Sequence, residues 1–131
     1  MRKPESSASS HAGWVVEYHE EYWAELSAES EAVEDAVFTG AEVLRHAGPL
    51  LGRPYADTLN GSGYPNMKEL RITLPDGEWR VAFAFDPRRK AILLCGGSKS
   101  GVAERRFYER LIRVADRRYA DHLLKLKGKG G

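Results

Sequence analysis

Two runs of strict alternation, joined by one tight turn, constrain this chain more than any other feature. From Lys68 to Leu74 the apolar Leu70, Ile72 and Leu74 take every second place, with Glu69, Arg71 and Thr73 between them. From Trp79 to Phe85 the large Trp79, Val81, Phe83 and Phe85 alternate with Arg80, Ala82 and Ala84. A period of two belongs to β-strands that bury one face. Pro75-Asp76-Gly77-Glu78 supplies turn chemistry between them. The runs therefore read as a hairpin, and strand parity fixes which side chains share a side. With Leu70 and Ile72 on the side of Val81 and Phe83, Arg71 and Arg80 stand together on the other. Ala82 and Ala84 beside them suggest an open, alanine-floored surface suited to a bulky anion. The same pattern fits an ordinary solvent face whose arginines pair with neighbours such as Glu69.

The flanking segments set the class. Trp14 to Tyr18 is aromatic and β-branched and reads as a strand. Glu20 to about His46 reads as helix, broken near Ser27–Ser30, with Ser30 as N-cap. Val33, Val37, Ala41 and Leu44 recur there at helical spacing, and Gly48-Pro49 stops the run. Residues 52–66, rich in Gly, Pro, Asn and Ser, read as a long loop. Ala91 to Cys95 is apolar throughout, as in a strand covered on both faces, and Gly96-Gly97 is expected to end it. From about Val102 to Lys127 the spacing is helical, with Phe107, Leu111, Val114, Ala115, Tyr119 and Leu123 on one stripe. Strand, helices, loop, three-strand meander and helix make an α+β fold with a mostly antiparallel sheet. The expected organisation is a flexible segment at 1–12, one domain at 13–127 and a flexible tail at 128–131.

Several function classes drop out. The longest apolar runs fall far short of the roughly 20 residues that span a bilayer, and no apolar stretch follows Arg2-Lys3 as a signal peptide requires. A cytoplasmic setting without membrane association is the expectation. The single cysteine, Cys95, sits in an apolar run and reads as a buried structural thiol. His11, His19, His46 and His122 are scattered without metal-ligand spacing, so neither a metal nor a cofactor is expected. Charge is uneven. Residues 1–50 hold ten acidic and three basic side chains, and residues 51–131 hold nine and seventeen. A basic half of this kind suits a polyanionic partner such as nucleic acid, and equally a solvated surface. Lys68 opens the first hairpin strand, Lys99 follows the third strand, Arg88 and Arg89 occupy a turn, and Tyr108 lies early in the last helix. Cations with aromatics nearby suit a phosphate backbone and stacked bases.

Several ordered motifs resemble the phage-derived, HigB-like branch of the RelE/ParE toxin superfamily. They are Asn66-Met67-Lys68-Glu69-Leu70-Arg71, Trp79 to Arg88, Ala91 to Lys99, Phe107-Tyr108, and Ala115 to Leu123, and the likeness covers roughly residues 14–125. Ser98 stands where members often carry Asp, and Glu69 stands where RelE carries a lysine.

The resemblance implies a RelE-like fold: a twisted, mostly antiparallel sheet with two N-terminal helices and a C-terminal helix. It implies the toxin of a type II toxin–antitoxin system, an mRNA interferase that cuts messenger RNA on the ribosome without metal. A helix-turn-helix, HigA-like antitoxin is the implied partner, beside ribosome and mRNA. The implied catalytic set is Arg80 and Arg71, which would stabilise charge on the phosphate, Lys68 or Lys99 as base, and Tyr108. Arg88, Arg89, Arg105 and Arg106 are the expected RNA contacts. A ParE-like inhibitor of DNA gyrase and a non-catalytic RNA- or protein-binding module share the same fold and remain alternatives.

Overall fold

The computed structural model describes residues 13–128. The segment 1–12 and residues 129–131, both expected to be flexible, lie outside the described residues. In chain order the elements are β1 (Val15–Tyr18), α1 (Glu20–Ser27), α2 (Glu31–Ala47), a 3-10 turn (Gly48–Leu50), β2 (Ala56–Thr58), β3 (Met67–Leu74), β4 (Gly77–Phe85), β5 (Lys90–Ser98) and α3 (Glu104–Gly128). The strands form one sheet in the order β1-β5-β4-β3-β2. All pairings are antiparallel except β1 with β5, which is parallel.

Local signals place the helices where the sequence puts them. The Ser30 hydroxyl accepts from the Val33 N–H at 3.3 Å and caps α2. Glu31 and Glu34 lie in its first turn and Arg45 and His46 in its last, each complementing the helix dipole. At α1 the cap is His19, whose Nδ1 accepts from the Glu21 N–H at 3.1 Å. That assignment leaves Nε2 to donate to Asp121 of α3 at 2.9 Å, so this buried histidine has both nitrogens engaged.

Three boundaries depart from expectation. The long loop contains β2, three residues paired to Leu70, Glu69 and Lys68 of β3. Between Pro54 and Asn60 so short a strand has no alternation to announce it. Gly96-Gly97 does not end β5, which runs on to Ser98 because Val81, Arg80 and Trp79 of β4 continue to pair with it. Gly128, placed in the tail by the sequence, is the last residue of α3.

The sheet is buried on both faces. On one side α1 and α2 pack Leu26, Val37 and Leu44 against Leu70, Val81, Phe83 and Leu93. On the other, α3 packs Phe107, Leu111, Ala115 and Tyr119 against Met67, Ala82, Ala84, Ile92 and Leu94. A register shift at Ala82/Phe83 passes over Leu94, so Leu94 and Cys95 both lie in the α3-side cluster. Beyond this bulge Gly96 approaches Tyr22 of α1 and Gly97 approaches Phe107 of α3. No described helix is long and apolar enough to cross a membrane.

Candidate functional site

The hairpin holds the expected pair. Arg71 and Arg80 are direct cross-strand partners, with Leu70 opposite Val81 and Ile72 opposite Trp79. Both guanidinium groups therefore lie on the α3 side of the sheet. Gly77 makes the turn possible: its φ of 143° suits only glycine, and a Cβ there would stand 2.1 Å from the Ser100 hydroxyl.

The alanine floor is not open. Ala82 and Ala84 are fully buried beneath α3. Their small size serves close approach of the helix rather than a shelf. Arg71, partly exposed, lies instead at the margin of that contact and Arg80 is itself buried there, both around one buried carboxylate. Glu69, 4% exposed, faces the same way as Arg71 and Arg80. Its Oε2 accepts from Arg71 Nε at 3.1 Å, its Oε1 accepts from the Tyr108 hydroxyl at 2.7 Å, and Arg80 Nε lies 3.8 Å away. Tyr108 Oη in turn accepts from Arg80 Nε at 3.3 Å. Two guanidiniums, a carboxylate and a phenol thus form one connected network. Burial is what makes these bonds strong and makes an unpaired member costly.

Other carboxylates close the outer side. Arg80 Nη1 donates to Glu78 at 3.1 Å and to the Trp79 carbonyl at 3.0 Å. Arg71 also reaches Asp57 of β2 at 3.4 Å. Burial works against the Arg80 charge, but its bonds to Glu78 and Tyr108 prevail and hold the guanidinium above its ordinary range. Hydrogen bonds from Thr73 and Arg80 hold the Glu78 carboxyl below its usual range. Burial, then the bond to Glu69, pushes the Tyr108 phenol up. Glu78 is about half exposed, so an incoming phosphate can take its place at little cost.

Lys99 joins this group. Its ammonium lies 5.4 Å from the centroid of the Tyr108 ring and 2.9 Å from Glu104, whose carboxyl it holds low by hydrogen bonding. Lys68 does not join. Alternation along β3 sets it on the α2 side with Leu70 and Ile72, across the sheet from Arg71 and Arg80. Arg88 and Arg89 occupy the far β4–β5 turn, where Arg88 donates to the Leu126 carbonyl and Arg89 lies over Trp14. Arg105 rims a shallow depression of about 440 Å³ beside Tyr108, floored by Ile112. Arg106, one residue on, lines a separate cleft between α3 and β5. The sequence reading gave Glu69 no place in the catalytic set, though a signal was present: it is two residues from Arg71 on the same strand face. Among the described residues no three His, Cys, Asp or Glu side chains group as a metal site.

Comparison with known proteins bears on this arrangement. Residues 24–120 match the model of a family described as phage derived protein Gp49-like. The chain is 40% identical over 116 residues to the putative toxin HigB2 of Mycobacterium tuberculosis, covering 88% of this chain and 57% of that protein. It thus spans little more than half of HigB2. It is 47% identical over 97 residues to the putative toxin HigB3 of the same organism, covering 72% of this chain and 82% of that one. A mutant of the E. coli toxin RelE, solved in the free state, superposes with a TM-score of 0.51 at 16% identity, covering 76% of this chain and 94% of RelE. That likeness establishes a RelE-like fold for the described chain.

Proposed function

The chain belongs to the phage-derived Gp49-like family, and on that premise we propose that it is the toxin of a type II toxin–antitoxin pair, an endoribonuclease that cuts messenger RNA on the ribosome. The observation that carries the proposal is the network Arg71–Glu69–Tyr108–Arg80, which sets two cations beside a proton-accepting pair on one margin of the sheet.

The reaction is transesterification. The 2′-hydroxyl attacks the adjacent 3′ phosphorus, a 2′,3′-cyclic phosphate forms, and the bond to the 5′ oxygen breaks. Arg71 and Arg80 leave their outer carboxylates and bind the non-bridging oxygens, where charge grows in the transition state. The 2′ proton passes to Tyr108 Oη as the phenol proton passes to Glu69 Oε1. A relay of this form never requires a free phenolate, which suits a phenol whose ionisation is disfavoured. The Lys99 ammonium protonates the departing 5′ oxygen. The chain's own cations meet the charge, so the scheme needs no metal. Arg105, on the rim beside Tyr108, steers the flanking phosphate.

The ribosome supplies substrate orientation, which accounts for so compact a set of groups. A helix-turn-helix antitoxin of the HigA kind is the proposed silencing partner, and the cytoplasm the proposed setting. The test is induction of the chain in bacteria. Growth arrest with rapid loss of intact mRNA supports cleavage. DNA-damage signalling with stable mRNA points instead to gyrase, and neither response points to a binding module without catalysis.

A further inference from the structure

The sheet has an open stretch of strand edge inside a cleft. Strand β1 ends at Tyr18, opposite Leu93, whereas β5 continues for five more residues to Ser98. Over that extension β5 is paired only on its β4 side. The Lys99 N–H donates to the Glu78 carbonyl at 2.8 Å. Alternation then turns the backbone groups of Gly97 toward β4 and those of Gly96 and Ser98 outward. The outward edge opens into a cleft of about 790 Å³ between α3 and β5. Gly96 and Gly97 face Tyr22 and Phe107 on the two faces of the sheet, so it is their backbone that lines the cleft. Arg106 and Arg110, four residues apart on α3 and both exposed, line it without an ion-pair partner among the described residues. Val102, 45% exposed, and Trp79 add apolar surface.

We propose that this cleft binds an extended acidic peptide segment of a partner protein, which adds as a strand to β5 along Gly96–Ser98. Peptide backbone offers both donors and acceptors at strand spacing and matches an edge that presents both. An RNA backbone offers phosphate acceptors and 2′-hydroxyls but no amide donors at strand spacing. Glu29 on the opposite rim further disfavours a polyanion, Glu25 beside it being held by Arg118, whereas a peptide can aim individual carboxylates at Arg106 and Arg110 and apolar side chains at Val102 and Trp79. The site is separate from the Glu69 network, so its occupant and the nuclease reaction are decided by different experiments.

The full chain is panned against a phage-displayed library of random peptides. Selected peptides are expected to alternate acidic and apolar residues and to protect the Gly96 and Ser98 amides from hydrogen exchange. Ser98→Pro removes an outward N–H, a change that strand edges tolerate, and is expected to weaken binding about tenfold or more. Arg110→Glu alters an exposed, unpaired residue, keeps the fold, and is expected to weaken binding comparably even should Ser98→Pro fail to fold. No enrichment, enrichment without acidic alternation, or unchanged binding to Arg110→Glu overturns the proposal. Displacement of the peptides by a single-stranded oligoribonucleotide that protects the same amides also overturns it and assigns the cleft to RNA.

Discussion

Arg71 and Arg80 stand directly opposite each other across β3 and β4 and converge on the carboxylate of Glu69, at 3.1 and 3.8 Å. Like charges placed opposite on a sheet repel, and the buried carboxylate between them offsets that repulsion. The pair is thus held together by a protein anion, and the proposed reaction requires a phosphate to draw on the same two cations.

Replacing Arg80 tests that requirement. Arg80→Ala is expected to abolish growth arrest, and to cost stability by about 1–3 kcal/mol through loss of buried bonds. Arg80→Lys keeps the charge but not the planar fork, and is expected to retain most stability and little toxicity. Growth curves after induction, with urea denaturation of the same proteins, separate the two effects. Full toxicity in Arg80→Ala would remove Arg80 from the site.

Tyr108→Phe deletes one hydroxyl from the relay. Cleavage is expected to slow by about 10²–10⁴-fold. The Glu69→Gln variant keeps shape but cannot take up the phenol proton, and is expected to slow cleavage comparably. An unchanged cleavage rate in Glu69→Gln would reduce Glu69 to a scaffold for the arginines.

Ala82 provides a packing test. Fully buried under α3, it leaves no room for a larger side chain. Ala82→Leu is expected to destabilise by about 1–3 kcal/mol. A neutral effect in urea denaturation would mean that α3 does not cover this face.

Alkaline pH should weaken the fold. Burial pushes the Cys95 thiol up to about 12, and burial likewise raises the phenols of Tyr18 and Tyr22. Each group keeps its proton in the folded chain after the unfolded chain has lost it. The stability this confers is complete below the unfolded values, near 8.5 for the thiol and 10 for the phenols, and falls as pH rises toward the folded ones. The urea midpoint is expected to drop between about pH 8 and pH 11. Cys95 should resist thiol reagents at about pH 8 until the chain unfolds. Rapid labelling of the native protein would contradict its burial.

Much of this was legible in the sequence, for specific reasons. The common face of Arg71 and Arg80 follows from parity, which needs no knowledge of the remainder of the fold. The same rule sets Lys68 apart from them, because it shares parity with Leu70. Ala82 and Ala84 misled because small residues suit both an open surface and a closely packed helix, and only the distant α3 decides between them. Strand β2 is too short to show a period. The bonds of Tyr108 to Glu69 and Arg80 join residues 39 and 28 positions apart, a distance over which no local pattern carries information.

The ends left on cut RNA give the most direct test. Purified protein is mixed with ribosomes carrying a defined messenger, and the fragments are examined for their termini. We expect 2′,3′-cyclic phosphate on upstream fragments and free 5′-hydroxyl on downstream ones, with both lost in Arg80→Ala. Intact messenger, or fragments with 5′-phosphate and 3′-hydroxyl ends, would contradict attack by the 2′-hydroxyl at the Arg71–Arg80 site.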